Sequence, residues 1–118
     1  MLSYGAFFAL YTSASLSVED SNALANKMLA AVLSSVESNS SVAAIATSPS
    51  EALLNKEKGL FSVMIGMENG NPIGNSLDEL ESFFNRGVRY MTLCHSGNNL
   101  ICDSCATKEK RWHGVSPF

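Results

Sequence analysis

Four short apolar runs, separated by capped helical segments, constrain the fold more than any other feature of this 118-residue sequence. Residues 5–11 are apolar and rich in Phe, too brief for a helix, and fit a strand buried on both faces. Ser17 with Asp20 three residues later resembles a capping box in which Asp replaces Glu. Leu24, Met28, Val32 and Val36 then recur every four residues and predict a helix over 18–37 that stops at Asn39-Ser40-Ser41. Residues 42–46 read as a short extended segment. Ser48-Pro49-Ser50-Glu51 supplies an N-cap, a first-turn Pro and a third-position Glu, so a short helix runs to Lys58, with Gly59 at the left-handed C′ position. Residues 60–67 form another buried run. A turn-rich loop over 68–75 leads into Ser76-Leu77-Asp78-Glu79, a second capping box, and Leu77, Leu80 and Phe84 are the expected buried face of that helix. It closes at Arg86-Gly87, residues 88–94 read as the last strand, and 95–118 as one long loop.

Buried strands alternating with helices pair in parallel through right-handed crossovers, so the expected class is α/β. No G-x-G-x-x-G or Walker-type lysine loop follows any strand, which argues against a nucleotide-binding doubly wound sheet and for a barrel segment. A (β/α)8 TIM-type barrel needs about 250 residues. The chain is therefore expected to be a partial barrel, an incomplete segment of one domain spanning 1–118. Both ends agree with that expectation. Residues 1–15 look superficially like a secretory signal but carry no positive n-region, the first basic residue being Lys27, and the other end is the apolar turn Gly114-Val115-Ser116-Pro117-Phe118.

Composition narrows the function. With 46% apolar and 16% charged residues the chain is neither disordered nor collagenous, and no apolar stretch reaches the ~18 residues of a spanning helix. Eight basic against eleven acidic residues give a net charge of −3, with one short basic cluster over 108–111, so no nucleic-acid partner is expected. Three cysteines cannot all pair within the chain, which points to a reducing compartment and a cytoplasmic location.

In parallel α/β folds, reactive groups gather at the carboxyl ends of strands. Glu68 and His95 follow directly on two of the apolar runs. A carboxylate and an imidazole at such ends suit metal binding or acid–base work; equally, Glu68 could cap its loop and His95 could bond a backbone carbonyl. Cys94, Cys102, Cys105 and His113 form a second constellation that could close a structural zinc site, the core of an alternative in which the chain is a small non-catalytic zinc-stabilised module. Against it, only Cys102-x-x-Cys105 is a tight pair, and Cys94 fits core filler at the end of a strand. No G-x-S-x-G elbow suggests a serine nucleophile.

The stretch Val63-Met-Ile-Gly-Met-Glu68-Asn-Gly70, Ser76-Leu77 opening a helix, Gly87-Val-Arg-Tyr-Met-Thr-Leu-Cys-His95, then Asn98-Asn99, Asp103-Ser104 and Gly114-Val-Ser-Pro-Phe118, resembles the membrane dipeptidase (renal dipeptidase) family of zinc peptidases. The likeness is close over most of 42–118 and looser over 5–12, which resembles the family's second barrel strand; 13–41 matches only as a helix. The resemblance implies a (β/α)8 barrel, here strands two to four, with two zinc ions at the strand ends and hydrolysis of dipeptides. It implies that Glu68 is the carboxylate bridging both zinc ions. It also implies that His95 is the imidazole reaching the substrate's carbonyl oxygen. Such a carboxylate holds two cations close enough to share a hydroxide at neutral pH, and the imidazole stabilises charge on the attacked carbonyl. The family's H-x-D zinc pair lies on an earlier strand and its two further zinc histidines on later ones. His113 matches neither, and Asn69-Gly70 stands where the family more often has Gly-Gly. The expectation is thus a fragment that is inactive alone and binds little zinc.

Overall fold

The computed structural model describes residues 4–118. Its elements run β1 (Gly5–Tyr11), α1 (Val18–Ser38), β2 (Ala43–Ile45), α2 (Pro49–Glu57), β3 (Phe61–Glu68), a single 3-10 turn over Asn71–Ile73, α3 (Leu77–Asn85) and β4 (Val88–Met91). The expected alternation holds, and all strand pairs are parallel. Each helix begins as its sequence requires. Ser17, Ser48 and Ser76 accept through their hydroxyls from the backbone N–H of Asp20, Glu51 and Glu79. No helix among the described residues is long and apolar enough to cross a membrane.

β3 is the central strand. β1 pairs along nearly all of it, Gly5 to Ser62 through Tyr11 to Glu68. β2 pairs with Phe61 to Val63 and β4 with Ile65 to Met67, so these two strands share the other edge of β3 end to end. Arg89, the extra residue in an irregular register beside Ile65 and Gly66, joins them by donating from Nε to the Thr47 carbonyl at 3.0 Å.

One sheet face is covered. Leu10, Val63, Ile65 and Met67 point toward α1 and pack with Ala25, Leu29, Ile73, Phe83, Val88 and Ile101 into a single apolar core. The opposite face carries Phe7, Tyr11 and Tyr90, all exposed, and this corrects the expectation that residues 5–11 are buried on both faces: within β1 only Leu10 is buried. β1 lies at a sheet edge and no described residue covers its second face, while Phe8, on the same face as Leu10, is exposed as well. Tyr90 lies across the bare backbone of Gly66, where a Cβ would fall inside its ring, and meets Phe7 edge-on at 5.3 Å.

Two helical faces also differ from expectation. On α1 the fully buried residues are Ser21, Ala25 and Leu29, while Leu24 is exposed and Met28, Val32 and Val36 are half-buried. Small residues let the helix sit close, and the Ser21 hydroxyl accepts from Asn71 Nδ2 at 2.8 Å. On α3 the buried residue is Phe83; Leu77, Leu80 and Phe84 face out. A nine-residue helix with adjacent Phe residues leaves its rotational phase open, and packing against β4 and the 3-10 turn selects Phe83. Phe84 instead carries the Arg89 guanidinium 4.0 Å above its ring.

Candidate active site

Glu68 closes β3, and its strand end is held from both sides. Thr12 N–H donates to the Glu68 carbonyl at 3.3 Å, and Thr92 N–H donates to the Met67 carbonyl at 3.0 Å. The next residue, Asn69, is 1% exposed and adopts φ 81°, a conformation that Asn tolerates better than other side-chain-bearing residues. Its side chain ties the strand ends together. Nδ2 donates to the Thr12 carbonyl at 3.0 Å, and Oδ1 accepts from Asn71 N–H and from Asn99 Nδ2, each at 3.2 Å. Asn69 N–H donates to Thr92 Oγ1 at 2.8 Å. Gly70 follows because a Cβ there would meet Ile101 Cδ1 at 2.7 Å and the Leu93 carbonyl at 2.9 Å.

The last strand stops at Met91 rather than at residue 94, so His95 sits four positions beyond it. Hydrogen bonds replace the ladder in fixing it. Asn99 Nδ2 donates to the Leu93 carbonyl at 2.7 Å, Asn99 Oδ1 accepts from the N–H groups of Ile101 and Cys102, and the buried Ser104 hydroxyl donates to the His95 carbonyl at 2.6 Å. Asn98 Oδ1 accepts from Ser104 N–H at 2.8 Å. The result brings the two candidate residues together: His95 Nε2 lies 3.5 Å from Glu68 Oε1, both side chains roughly two-fifths exposed at the open end of the sheet. Glu68 does not cap its loop, since Asn69 and Thr92 do that work, and the His95 ring faces a carboxylate rather than a backbone carbonyl.

Asp103 organises the remainder of the loop. Its carboxylate accepts from the N–H groups of Arg111, Trp112 and His113 at 2.7–2.9 Å. Burial pushes this carboxyl up, but the backbone donors outweigh it and hold Asp103 below the usual carboxylate range. Trp112 Nε1 donates to the Asn99 carbonyl at 2.9 Å, linking this turn to the His95 segment. Two residues of the basic cluster act locally: Lys110 donates to the Ser104 and Thr107 carbonyls, and Arg111 lies over the Trp112 ring.

The cysteine constellation does not assemble. All three thiols are free, and Cys94 donates to the Asp103 carbonyl at 3.6 Å. Cys102 is buried, its thiol pushed up to about 11 by burial first and then by the neighbouring Cys94. Cys105 is exposed, and His113 is an exposed turn residue at φ 55°. No group of three or more His, Cys, Asp or Glu side chains among the described residues is placed to hold a metal ion. Because Cys94, Cys102, Cys105 and His113 do not converge on one point, the structure does not favour the Cys/His reading.

Sequence reasoning missed the amide scaffold, Asn69 and Asn99 with Thr12 and Thr92. The density of Asn in the two strand-end loops was its visible trace, but which carbonyls those amides reach is not a property of spacing.

The chain is similar to known proteins in both fold and sequence. Its fold superposes on the crystal structure of the probable dipeptidase PvdM from Pseudomonas aeruginosa with a TM-score of 0.78 at 24% identity, covering 86% of this chain and 27% of that one. A second structure, the metallopeptidase dipeptidase AC, gives 0.79 at 21% identity over 85% and 32%. In sequence the chain is 41% identical over 59 residues to dipeptidase tcpJ of Claviceps purpurea, and 38% over 60 residues to dipeptidase ataJ of Aspergillus terreus. These stretches are about half of this chain but 14% of each relative's length. Residues 2–118 match the sequence profile described as "Membrane dipeptidase (Peptidase family M19)", and the chain belongs to that family.

Proposed function

We propose that this chain supplies one sector of the catalytic mouth of a zinc-dependent dipeptidase, a partial (β/α)8 barrel in which Glu68 is a metal ligand bridging two zinc ions and His95 meets the substrate. The observation that carries this reading is the 3.5 Å approach of His95 Nε2 to Glu68 Oε1 at the carboxyl ends of neighbouring parallel strands, in a member of a dipeptidase family. The uncovered sheet face fits a barrel interior, because its aromatic residues and strand-end carboxylate then face a shared mouth instead of bulk water.

The donors suit the metal. Glu68 offers two hard oxygens, partly exposed and held on a rigid strand end. A bound zinc supplies Lewis acidity, polarising an amide carbonyl and acidifying water. His95 supplies an N–H donor toward the carbonyl oxygen of the substrate, where negative charge develops as the amide is attacked. The bonds that Ser104 donates to the His95 carbonyl, and that Asn99 donates to the Leu93 carbonyl and to Asn69 Oδ1, fix the backbone that carries this donor. The remaining ligands belong to parts of the fold outside these 118 residues. The isolated chain is therefore inactive and binds zinc weakly, since loss of even outer-shell support costs about 10–100-fold in affinity.

Zinc titration of the chain tests the assignment. Weak binding that Glu68→Gln abolishes, and that a Cys102→Ser/Cys105→Ser double variant leaves unchanged, is the expected pattern. Binding that survives Glu68→Gln overturns the ligand role, and zinc-dependent cleavage of a dipeptide by the 118-residue chain overturns the claim that it is incomplete.

A further inference from the structure

Glu68 and His95 come from β3 and the segment after β4, yet the side chain resting on His95 comes from β1. Tyr11 is the last residue of β1 and the register partner of Glu68, so parallel pairing sends both side chains to the same uncovered face. Its ring meets the His95 imidazole edge to face, with centroids 5.2 Å apart and planes at 74°. Three residues further on, Ala14 touches the same loop: a Cβ at Gly97 would lie 2.7 Å from the Ala14 Cβ, an approach open to glycine there. The segment leaving β1 thus grips the His95 loop at two points. Tyr11 and Glu68 both meet the imidazole ring, which is about two-fifths exposed.

We propose that Tyr11 is a positioning residue that holds the His95 imidazole in the orientation facing Glu68, while the Ala14–Gly97 contact fixes the loop beneath it. An aromatic pair of this geometry favours one ring orientation over its alternatives. Without it, a side chain two-fifths exposed is freer to leave that orientation for another staggered rotamer. Tyr11 acts through ring contact and not through its hydroxyl. The proposal rests on the reading of His95 as the group that meets the substrate's carbonyl.

The chain has two histidines, so proton NMR at one fixed pH resolves them, with His113 as the internal reference. The unmodified chain is expected to show a nuclear Overhauser contact between the Tyr11 and His95 rings. Tyr11→Leu moves the His95 ring resonances and leaves His113 in place, whereas Tyr11→Phe keeps both the shift and the contact. Absence of the contact in the unmodified chain, unchanged His95 resonances in Tyr11→Leu, or a Phe variant that behaves like Leu would each overturn the proposal. If Tyr11→Leu unfolds, both histidines move together, and the unmodified chain and the Phe variant decide the matter. The readout is geometry, not zinc or turnover, so a failed zinc titration counts against the functional reading alone.

Discussion

Replacing Asn69 by Ala removes the knot that joins the strand ends, and its cost follows from the bonds it makes. Without the amide, the buried Thr12 carbonyl loses its Asn69 Nδ2 donor and the Asn71 N–H loses its Asn69 Oδ1 acceptor. Asn99 Nδ2 keeps the Leu93 carbonyl as a partner. Two buried backbone groups orphaned at about 1–3 kcal/mol each sum to about 2–6 kcal/mol. Ala at φ 81° adds about 1–2 kcal/mol of left-handed strain. Against a typical domain stability of about 5–15 kcal/mol, that is a large share. Asn69→Gly loses the same bonds without the strain and falls short of the Ala loss by about 1 kcal/mol. Urea denaturation followed by far-ultraviolet circular dichroism reads both as shifts in midpoint. An Ala variant that loses less than about 1 kcal/mol would refute the knot, because one unsatisfied buried group already costs that much. A Gly variant as unstable as Ala would refute the strain.

Three further outcomes follow from the same structure. Asp103 has a folded pKa held below its unfolded value, so its contribution is present above about pH 3.9 and lost as pH falls through the folded pKa; fluorescence of the single tryptophan, Trp112, should hold steady to below the ordinary carboxylate range and then change, and Asp103→Asn should abolish that step. Gly66→Ala drives a methyl into the Tyr90 ring and is expected to cost about 1–3 kcal/mol, with loss of the near-ultraviolet dichroism of the Phe7–Tyr90 pair; unchanged stability would mean that Tyr90 swings aside freely. In thiol labelling near pH 8, Cys105 reacts first and Cys102 last, since burial both shields Cys102 and keeps it protonated, so a fast-reacting Cys102 would contradict its packing.

The sequence by itself determined what is local. Ser17, Ser48 and Ser76 cap their helices because a hydroxyl three residues before a free N–H has little choice of partner. Gly59 and Gly87 end α2 and α3 at positive φ, which side-chain-bearing residues resist. Apolar runs of strand length between such helices required a parallel α/β arrangement, and Glu68 and His95 stood out as polar residues just beyond two of those runs. Tertiary structure decided everything that depends on approach across the chain. It rotated α3 to bury Phe83, left one face of β1 bare, and ended β4 at Met91, after which hydrogen bonds rather than a ladder carried His95 back to Glu68. It also did not gather Cys94, Cys102, Cys105 and His113 into a metal-holding group, although their spacing had allowed a zinc site. The physical reason is the same in each case: caps and turns are settled by groups a few residues apart, whereas a site is settled by which buried donors find which carbonyls, and Asn69 reaching Thr12 and Asn99 is a fact of packing that no pattern in the sequence contains.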